Sequence, residues 1–194
     1  GGENWDRVPP ASLPPMMDGE AFFAASGTSM STFGENGLCF TSGGSVSRVF
    51  WSEDKGSSWA VNDIPLLSGA PSQGGFSIAV LDGIHACVAG GDYAQDQVNS
   101  RTVVHTRDVG KSWALAKGFP PGGYNSCVAY VPGTDGQVLL ATGTRGTHIS
   151  EDSGSTWRRL IEEPFHVLGF DSTGRSGWAA GADGRVSRME LVLT

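Results

Sequence analysis

The sequence predicts an all-β protein, a β-propeller built from four-stranded antiparallel blades, and three observations predict it. One short phrase recurs at residues 52–59, 106–113 and 150–157, each time as Ser/Thr-x-Asp-x-Gly-x-x-Trp. The tryptophans at 5, 59, 113 and 157 stand 54, 54 and 44 positions apart, close to the period of about 40–50 residues that propeller arrays use. The chain also carries 29 glycines and few long helix-forming runs, so many tight turns and almost no helix are expected.

The recurring phrase has a mechanical meaning. Asp54, Asp108 and Asp152 can accept hydrogen bonds from nearby backbone N–H groups, as turn-forming Asx residues do. Gly56, Gly110 and Gly154 supply a backbone angle that a Cβ resists. The hydroxyls of Ser52, Thr106 and Ser150 add a local bond. Trp59, Trp113 and Trp157 bury a ring beneath the turn while their N–H seeks a partner. Each octet therefore reads as a stiff hairpin corner between two strands. Gly2 and Trp5 keep the Gly-x-x-Trp spacing, as though the chain opened inside a fourth copy, which points to a mature fragment or truncated reading frame.

These octets resemble the Asp-box (BNR) repeats of sialidases, some glycoside hydrolases and the photosystem II stability/assembly factor family. The resemblance covers nearly the whole chain as repeats and implies a propeller fold. In those families the boxes lie at the blade periphery, away from any active site, so the octet speaks for the fold and says little about function.

Short apolar runs of 4–8 residues bounded by turn signals place the strands. Residues 5–9 read as an opening strand, followed by a proline-rich break at 9–15 that cannot serve a central ladder. Four blades are expected, at about 19–63, 75–118, 124–162 and 165–194. The first takes strands at 20–26, 38–42, 48–51 and 59–62; the second at 76–81, 85–89, 101–105 and 113–117. The third takes 126–131, 137–142, 147–149 and 157–161, and the last only 165–170, 177–180 and 185–191. Strand 5–9 is the piece that this last sheet lacks, so pairing of the two chain ends would close a ring and remove exposed edges. Two architectures stay open: four blades closed on themselves, or part of a larger propeller that completes itself by association.

Composition narrows the function classes. Charged residues make up 17% of the 194 and the net charge is −7, so nonspecific nucleic-acid binding through clustered Lys and Arg is disfavoured. No apolar run approaches the ~20 residues of a helical membrane span. Cys39, Cys87 and Cys127 are an odd number without Cys-x-x-Cys spacing and read as small buried hydrophobes in strands. No metal site or cofactor is expected, because His85, His105, His148 and His166 lack ligand spacing and one carboxylate per octet falls short of a calcium shell.

Loops at the start of each inner strand and between the second and third strands are where a propeller face meets ligands. The first set carries Asp18, Glu20, Gln73, Tyr124, Asn125, Phe165 and His166. The second carries Arg48, Tyr93, Arg101, Arg145, Asp183 and Arg185. Four arginines (Arg48, Arg101, Arg145 and Arg185) recur near the start of the third strands. They read either as a solvated rim or as a patch for carboxylates or phosphates. The resemblance to the assembly-factor family implies an arginine patch for an acidic or carboxyl-bearing partner. Catalysis by a sialidase-like or other glycoside hydrolase fragment is the rival, with Asp18, Glu20, Asp92, Asp96 and Asp183 as unpaired candidates. The expectation is a non-enzymatic binding or assembly scaffold in an extracytoplasmic compartment, with a protein partner or an acidic or carbohydrate ligand at Arg48, Arg101, Arg145, Arg185, Tyr124 and His166.

Overall fold

Short runs of apolar and β-branched residues punctuated by glycine fold, in a computed structural model, into four twisted sheets. The structure describes residues 2–23, 26–118 and 120–190. Parts of the expected strands at 20–26 and 185–191 lie outside the described residues. The first strands in chain order are β1 (Glu20–Ala21), β2 (Met30–Phe33), β3 (Gly37–Thr41), β4 (Gly43–Gly44), β5 (Arg48–Ser52) and β6 (Ala60–Asp63). Of these, β2, β3, β5 and β6 form the first four-stranded antiparallel blade.

The second blade is β7 (Gln73–Val80), β8 (Ala86–Asp92), β9 (Val103–Thr106) and β10 (Ala114–Leu115), with β4 and β1 added along its inner edge. Next come β11 (Lys117–Gly118), β12 (Asn125–Tyr130), β13 (Leu139–Gly143), β14 (Gly146–Ser150) and β15 (Thr156–Ile161). β12 to β15 make the third blade, and β11, leaving the second, pairs parallel with β15. The fourth sheet is β16 (Val167–Phe170), β17 (Ser176–Ala180) and β18 (Val186–Glu190). Helical structure among the described residues is two 3-10 turns, Pro10–Ser12 and Ala182–Gly184. The four first strands adjoin in sequence, β2 against β7, β7 against β12 and β12 against β16. The sheets thus radiate from one axis, and among the described residues they are not closed into a ring.

Two expectations need correction. The inner strand of the first blade is β2, whereas the apolar run from residue 20 contributes only β1, paired across the inner edge as Glu20↔Gly44. Glu20 is drawn there by Arg48 and Ser42, and Gly43 and Gly74 allow the backbones to touch. A Cβ on Gly43 would lie 2.6 Å from the Gly74 Cα. Residues 5–9 are in no strand and do not pair with β18. Prolines 9 and 10 turn the chain into the first 3-10 turn instead, through Ser12 N–H to the Pro9 carbonyl at 2.9 Å. Trp5 is 89% exposed, although its Nε1 still donates to the Gly2 carbonyl at 2.9 Å.

Each seam between neighbouring blades holds one buried apolar cluster. Cys39, Val49 and Trp51 of the first blade meet Ile78, Val88 and Val104 of the second. Cys87 and Val103 then meet Val128, Leu139 and Trp157. Cys127, Leu140 and Ile149 meet Phe165, Leu168 and Ala179. One free cysteine sits in each seam, and burial pushes the Cys39 thiol up to about 12. Such thiols behave as small hydrophobes.

The octets build the corners that hold these seams. Asp54 Oδ1 accepts from the Ser58 N–H at 2.8 Å and its Oδ2 from the Ser58 hydroxyl at 2.6 Å. The Ser52 hydroxyl donates to Asp54 and accepts from the Gly56 N–H, both at 2.8 Å. Trp59 Nε1 closes the turn on the Gly56 carbonyl at 3.1 Å. Asp108 with Ser112 and Trp113, and Asp152 with Thr156 and Trp157, repeat the arrangement. The hydroxyl just before each Trp is thus a working part of the corner that the four-position motif omits. Gly56, Gly110 and Gly154 all have positive φ, between 70° and 87°. The residue before each (Lys55, Val109, Ser153) is left-handed too; for a β-branched Val109 that is unusual.

Corners also reach across seams. A Cβ on Gly110 would lie 3.1 Å from the Trp51 ring of the preceding blade, and one on Gly154 3.5 Å from the Cys87 sulfur. Asn62 donates to the Gly110 carbonyl at 3.0 Å, and Arg107 to the Asp152 carbonyl at 3.0 Å. Trp113 packs against the first seam and Trp157 lies inside the second.

Trp157→Ala is expected to cost about 3–5 kcal/mol, the usual price of emptying a buried aromatic site, whereas Trp5→Ala changes stability by less than about 0.5 kcal/mol. Urea unfolding of both variants measures the contrast; equal effects would sink the seam account. A second outcome concerns acid. Hydrogen bonds from the Ser58 and Ser112 side chains, then from their N–H groups, hold Asp54 and Asp108 down at about 2 against an ordinary 3.8. A carboxyl that binds its proton more weakly when folded contributes fully above the ordinary value and loses that contribution as pH falls toward 2. Urea midpoints are therefore expected to drop between pH 4 and pH 2, and Asp54→Asn with Asp108→Asn to flatten that limb.

Candidate functional site

At the axis, two inner strands carry β-bulges at the same place. In the β7–β8 ladder the pairing jumps from Gly75 to Ser77, which leaves Phe76 over; in β12–β13 it jumps from Asn125 to Cys127 and leaves Ser126 over. A bulge re-aims the side chain of its extra residue. The Phe76 ring stacks on Phe23 at 4.2 Å and meets the Tyr124 ring edge-on at 4.8 Å. Tyr93, 55% exposed, completes this aromatic group against Phe23, Phe76 and Tyr124.

Ser126 faces the other way, toward the fourth sheet. Its hydroxyl donates to the His166 carbonyl at 2.9 Å and lies 3.4 Å from His166 Nδ1. The Ser26 hydroxyl reaches the Ser126 carbonyl at 3.3 Å, and Thr28 donates to Ser77 at 2.7 Å. Between them opens a cleft of about 420 Å³, lined by residues 26–28, Tyr124, Ser126, Cys127, His166 and Val167. Lead-in segments of three different sheets therefore converge on one hollow that mixes hydroxyls with apolar surface and has an aromatic flank. Burial pushes the Tyr124 phenol above its ordinary value, so Tyr124 offers a neutral O–H at neutral pH. Two of the six expected binding residues, Tyr124 and His166, come together here. Phe76 and Ser126 were missed because a bulge is set by pairing register and leaves no local sequence signal, and Ser26 because it lies in the lead-in to β2 rather than at the end of the inner strand expected at 20–26.

The four arginines do not line this cleft. Arg48 is held by Glu20 through Nε at 2.9 Å and through Nη2, donates to the Pro15 carbonyl at 2.9 Å, and lies over the Phe50 ring. Arg101 donates to the carbonyls of Pro65 and Leu66 at 2.9 and 2.8 Å. Arg185 donates to the Pro164 carbonyl at 2.8 Å, and Arg145 to the Gln97 side chain at 2.7 Å. Three of them thus staple the proline-containing segment that leads into their own blade. Arg101 itself has φ 57°.

Of the expected acids, Glu20, Asp92 and Asp96 are engaged through their carboxylates. Burial would raise Glu20, but bonds from Arg48, the Met17 N–H and Ser42 outweigh it and hold the carboxyl below its ordinary value. Asp92 is fully buried and accepts from Gln73 at 3.0 Å and from the N–H groups of Ala94 and Gln95; these bonds likewise outweigh burial and hold it down. Asn125 is buried with its amide on the Gly90 and Pro121 carbonyls, and Phe165 is buried in the third seam. Asp18 contributes its carbonyl to Ser45, and Asp183 sits at φ 58° in the second 3-10 turn. Asp96 accepts from the Gln97 amide. No group of three or more potential metal ligands occurs among the described residues.

No family model matches the chain, and no curated protein does either. Solved structures do. The GH74 enzyme of Niastella koreensis matches with a TM-score of 0.62 and 15% identity over 84% of this chain and 28% of its own. YCF48 bound to a D1 peptide matches at 0.57 and 16% over 90% and 54%, and the Xanthomonas campestris GH74 xyloglucanase at 0.59 and 14% over 84% and 29%. The chain therefore spans less than two thirds of the length of each. At such identities the likeness concerns the fold, and with the radial sheets described above it defines the class: this is a run of β-propeller blades. No helix among the described residues is long and apolar enough to cross a membrane.

The Arg48–Glu20 pair is the most buried ionic contact at the inner edge, with side chains 11% and 0% exposed. Glu20→Gln leaves the guanidinium without its counter-charge and is expected to cost about 3–5 kcal/mol. Replacing both, as Glu20→Leu with Arg48→Met, should recover much of it. Chemical unfolding of the single and double variants decides; a double variant as unstable as the single would argue against the pair.

Proposed function

We propose that this chain is an Asp-box propeller that acts as a non-enzymatic binding scaffold and recognises a protein segment at its axial face. The carrying observation is the convergence of Tyr124, Ser126 and His166 with residues 26–28 in one cleft beside the Phe23–Phe76–Tyr93 group. Hydroxyls, a histidine and a partly exposed tyrosine offer both donors and acceptors, which suits an extended backbone with occasional aromatic or acidic side chains. Arg101, Arg145 and Arg185 at the rim would meet carboxylates once their carbonyl or amide partners yield, and Arg48 acts by holding Glu20. Support comes from the fold shared with a YCF48 that was solved with a peptide bound. The octets make the outer corners stiff, so the face is held preformed. An extracytoplasmic setting belongs to the same reading, on the strength of the low-charge, hydroxyl-rich composition.

The glycoside hydrolase reading draws on the likeness to GH74 enzymes. It requires one carboxyl held protonated as a general acid beside a second one. Glu20 and Asp92 are both held in the charged form by their partners, so neither serves as that acid, which favours the scaffold.

Peptide display against the intact chain is expected to enrich a consensus whose binding weakens about tenfold or more in Tyr124→Ala and His166→Ala, while Trp178→Ala, on the far blade, leaves it unchanged. Reducing-end release from xyloglucan by the intact chain would overturn the scaffold in favour of an enzyme.

A further inference from the structure

A second cleft, of about 640 Å³, opens between the second and third blades, away from the axis. Arg145, His148, Trp157, Arg158 and Arg159 line it, with Asn99 from the long loop of the second blade. We infer that this lateral cleft is a binding site for a small organic anion, a phosphate or carboxylate carried on a ring-sized body. The inference goes beyond the scaffold proposal and, Arg145 apart, rests on different residues.

Charge is the first argument. The chain carries a net −7, yet Arg145 and Arg159 line this cleft with Arg158 at its edge, and no Asp or Glu among the described residues does. Their existing partners are replaceable. Arg158 meets Glu151 at 3.2 Å and Arg159 meets Glu162 at 3.4 Å, with every one of these side chains at least half exposed. Pairs of that kind contribute little in water. Arg145 is bonded to a neutral amide, Gln97. Guanidinium forks suit the planar carboxylate and the phosphate alike, in a bidentate manner that lysine cannot reproduce.

The second argument is a buried polar group without a partner. His148 is only 5% exposed and lines the cleft, and its Nδ1 has no hydrogen-bond partner among the described residues. An unsatisfied buried nitrogen costs free energy, and since Nδ1 is closed off from solvent, a small shift of the cleft wall on binding would let a bound molecule or a water recover it. Burial, assisted by the Arg159 charge, holds the imidazole neutral, so it does not add a fourth full positive charge. His148 stands directly opposite Arg159 in the β14–β15 ladder, and a register shift between Thr147 and His148 re-aims the neighbouring side chains.

Shape supplies the third. The volume falls in the range of small-molecule sites, and Trp157 and Pro120 give it an apolar wall. An inorganic ion would leave that wall unused, and a nucleic-acid strand needs a continuous basic track that an acidic chain does not offer.

The test is isothermal titration of the whole chain with glucose 6-phosphate, glucuronate, inorganic phosphate and glucose. At least one of the first two is expected to bind, roughly tenfold or more tighter than inorganic phosphate, and glucose not to bind. Arg158→Ala with Arg159→Ala, both exposed and harmless to folding, should weaken binding at least tenfold, and His148→Gln should weaken it in a folded protein. Tyr124→Ala should leave it unchanged, which separates this site from the axial one. The inference is overturned if neither charged sugar binds, if glucose binds as well as they do, if inorganic phosphate matches them, or if binding survives the double arginine variant.

Discussion

The structure depends on one repeated contact, a hydrogen-bonded corner pressed against the blade before it. An Asp and two hydroxyls close each corner locally, helped in the first and third by the glycine N–H, and the Trp locks it through the glycine carbonyl. Local closure alone would give an isolated turn. What makes it structural is that Gly110 and Gly154 have no side chain, so the corner can lie against Trp51 and against Cys87 of the preceding sheet. The apolar clusters between blades then form around these contacts, one to a seam. Trp5 shows the converse. Its own turn bond is present, but no sheet lies against it and the ring stays in water.

With the periphery held in this way, variation concentrates at the axis. There the inner strands lose regular pairing at Phe76 and Ser126, and backbone irregularity turns side chains toward neighbouring blades. Polar groups that a regular ladder would hide are used between sheets instead, as in Ser126 with His166 and Thr28 with Ser77. Stiff corners outside and re-aimed residues inside are the two halves of a preformed surface. Binding to such a surface loses little to ordering.

The arginines illustrate how local patterning can mislead about role. Their recurrence at the third strands is periodic, and a periodic basic residue invites a functional explanation. Arg48, Arg101 and Arg185 instead donate to carbonyls at Pro15, Pro65 and Pro164, segments whose prolines break the ladder and leave backbone acceptors to be satisfied. The same periodicity therefore serves the assembly of three of the four blades, Arg145 being the exception. Arg158 and Arg159 carry no such repeat, and the lateral cleft they line was invisible until the second and third blades were placed side by side.

Sequence alone determined the octet corners, the near absence of helix, the strand-rich blades and the burial of three unpaired cysteines, because each follows from contacts within a few residues or from local hydrophobic runs. It also placed Tyr124 and His166 at inner-strand starts. Only the tertiary structure decided that β2 replaces the apolar run at residue 20 as an inner strand, that residues 5–9 stay unpaired, and which side chains share a cleft. Those outcomes turn on register, on bulges and on close backbone approach such as Gly43 to Gly74. They are set by partners distant in sequence, and no local pattern encodes them.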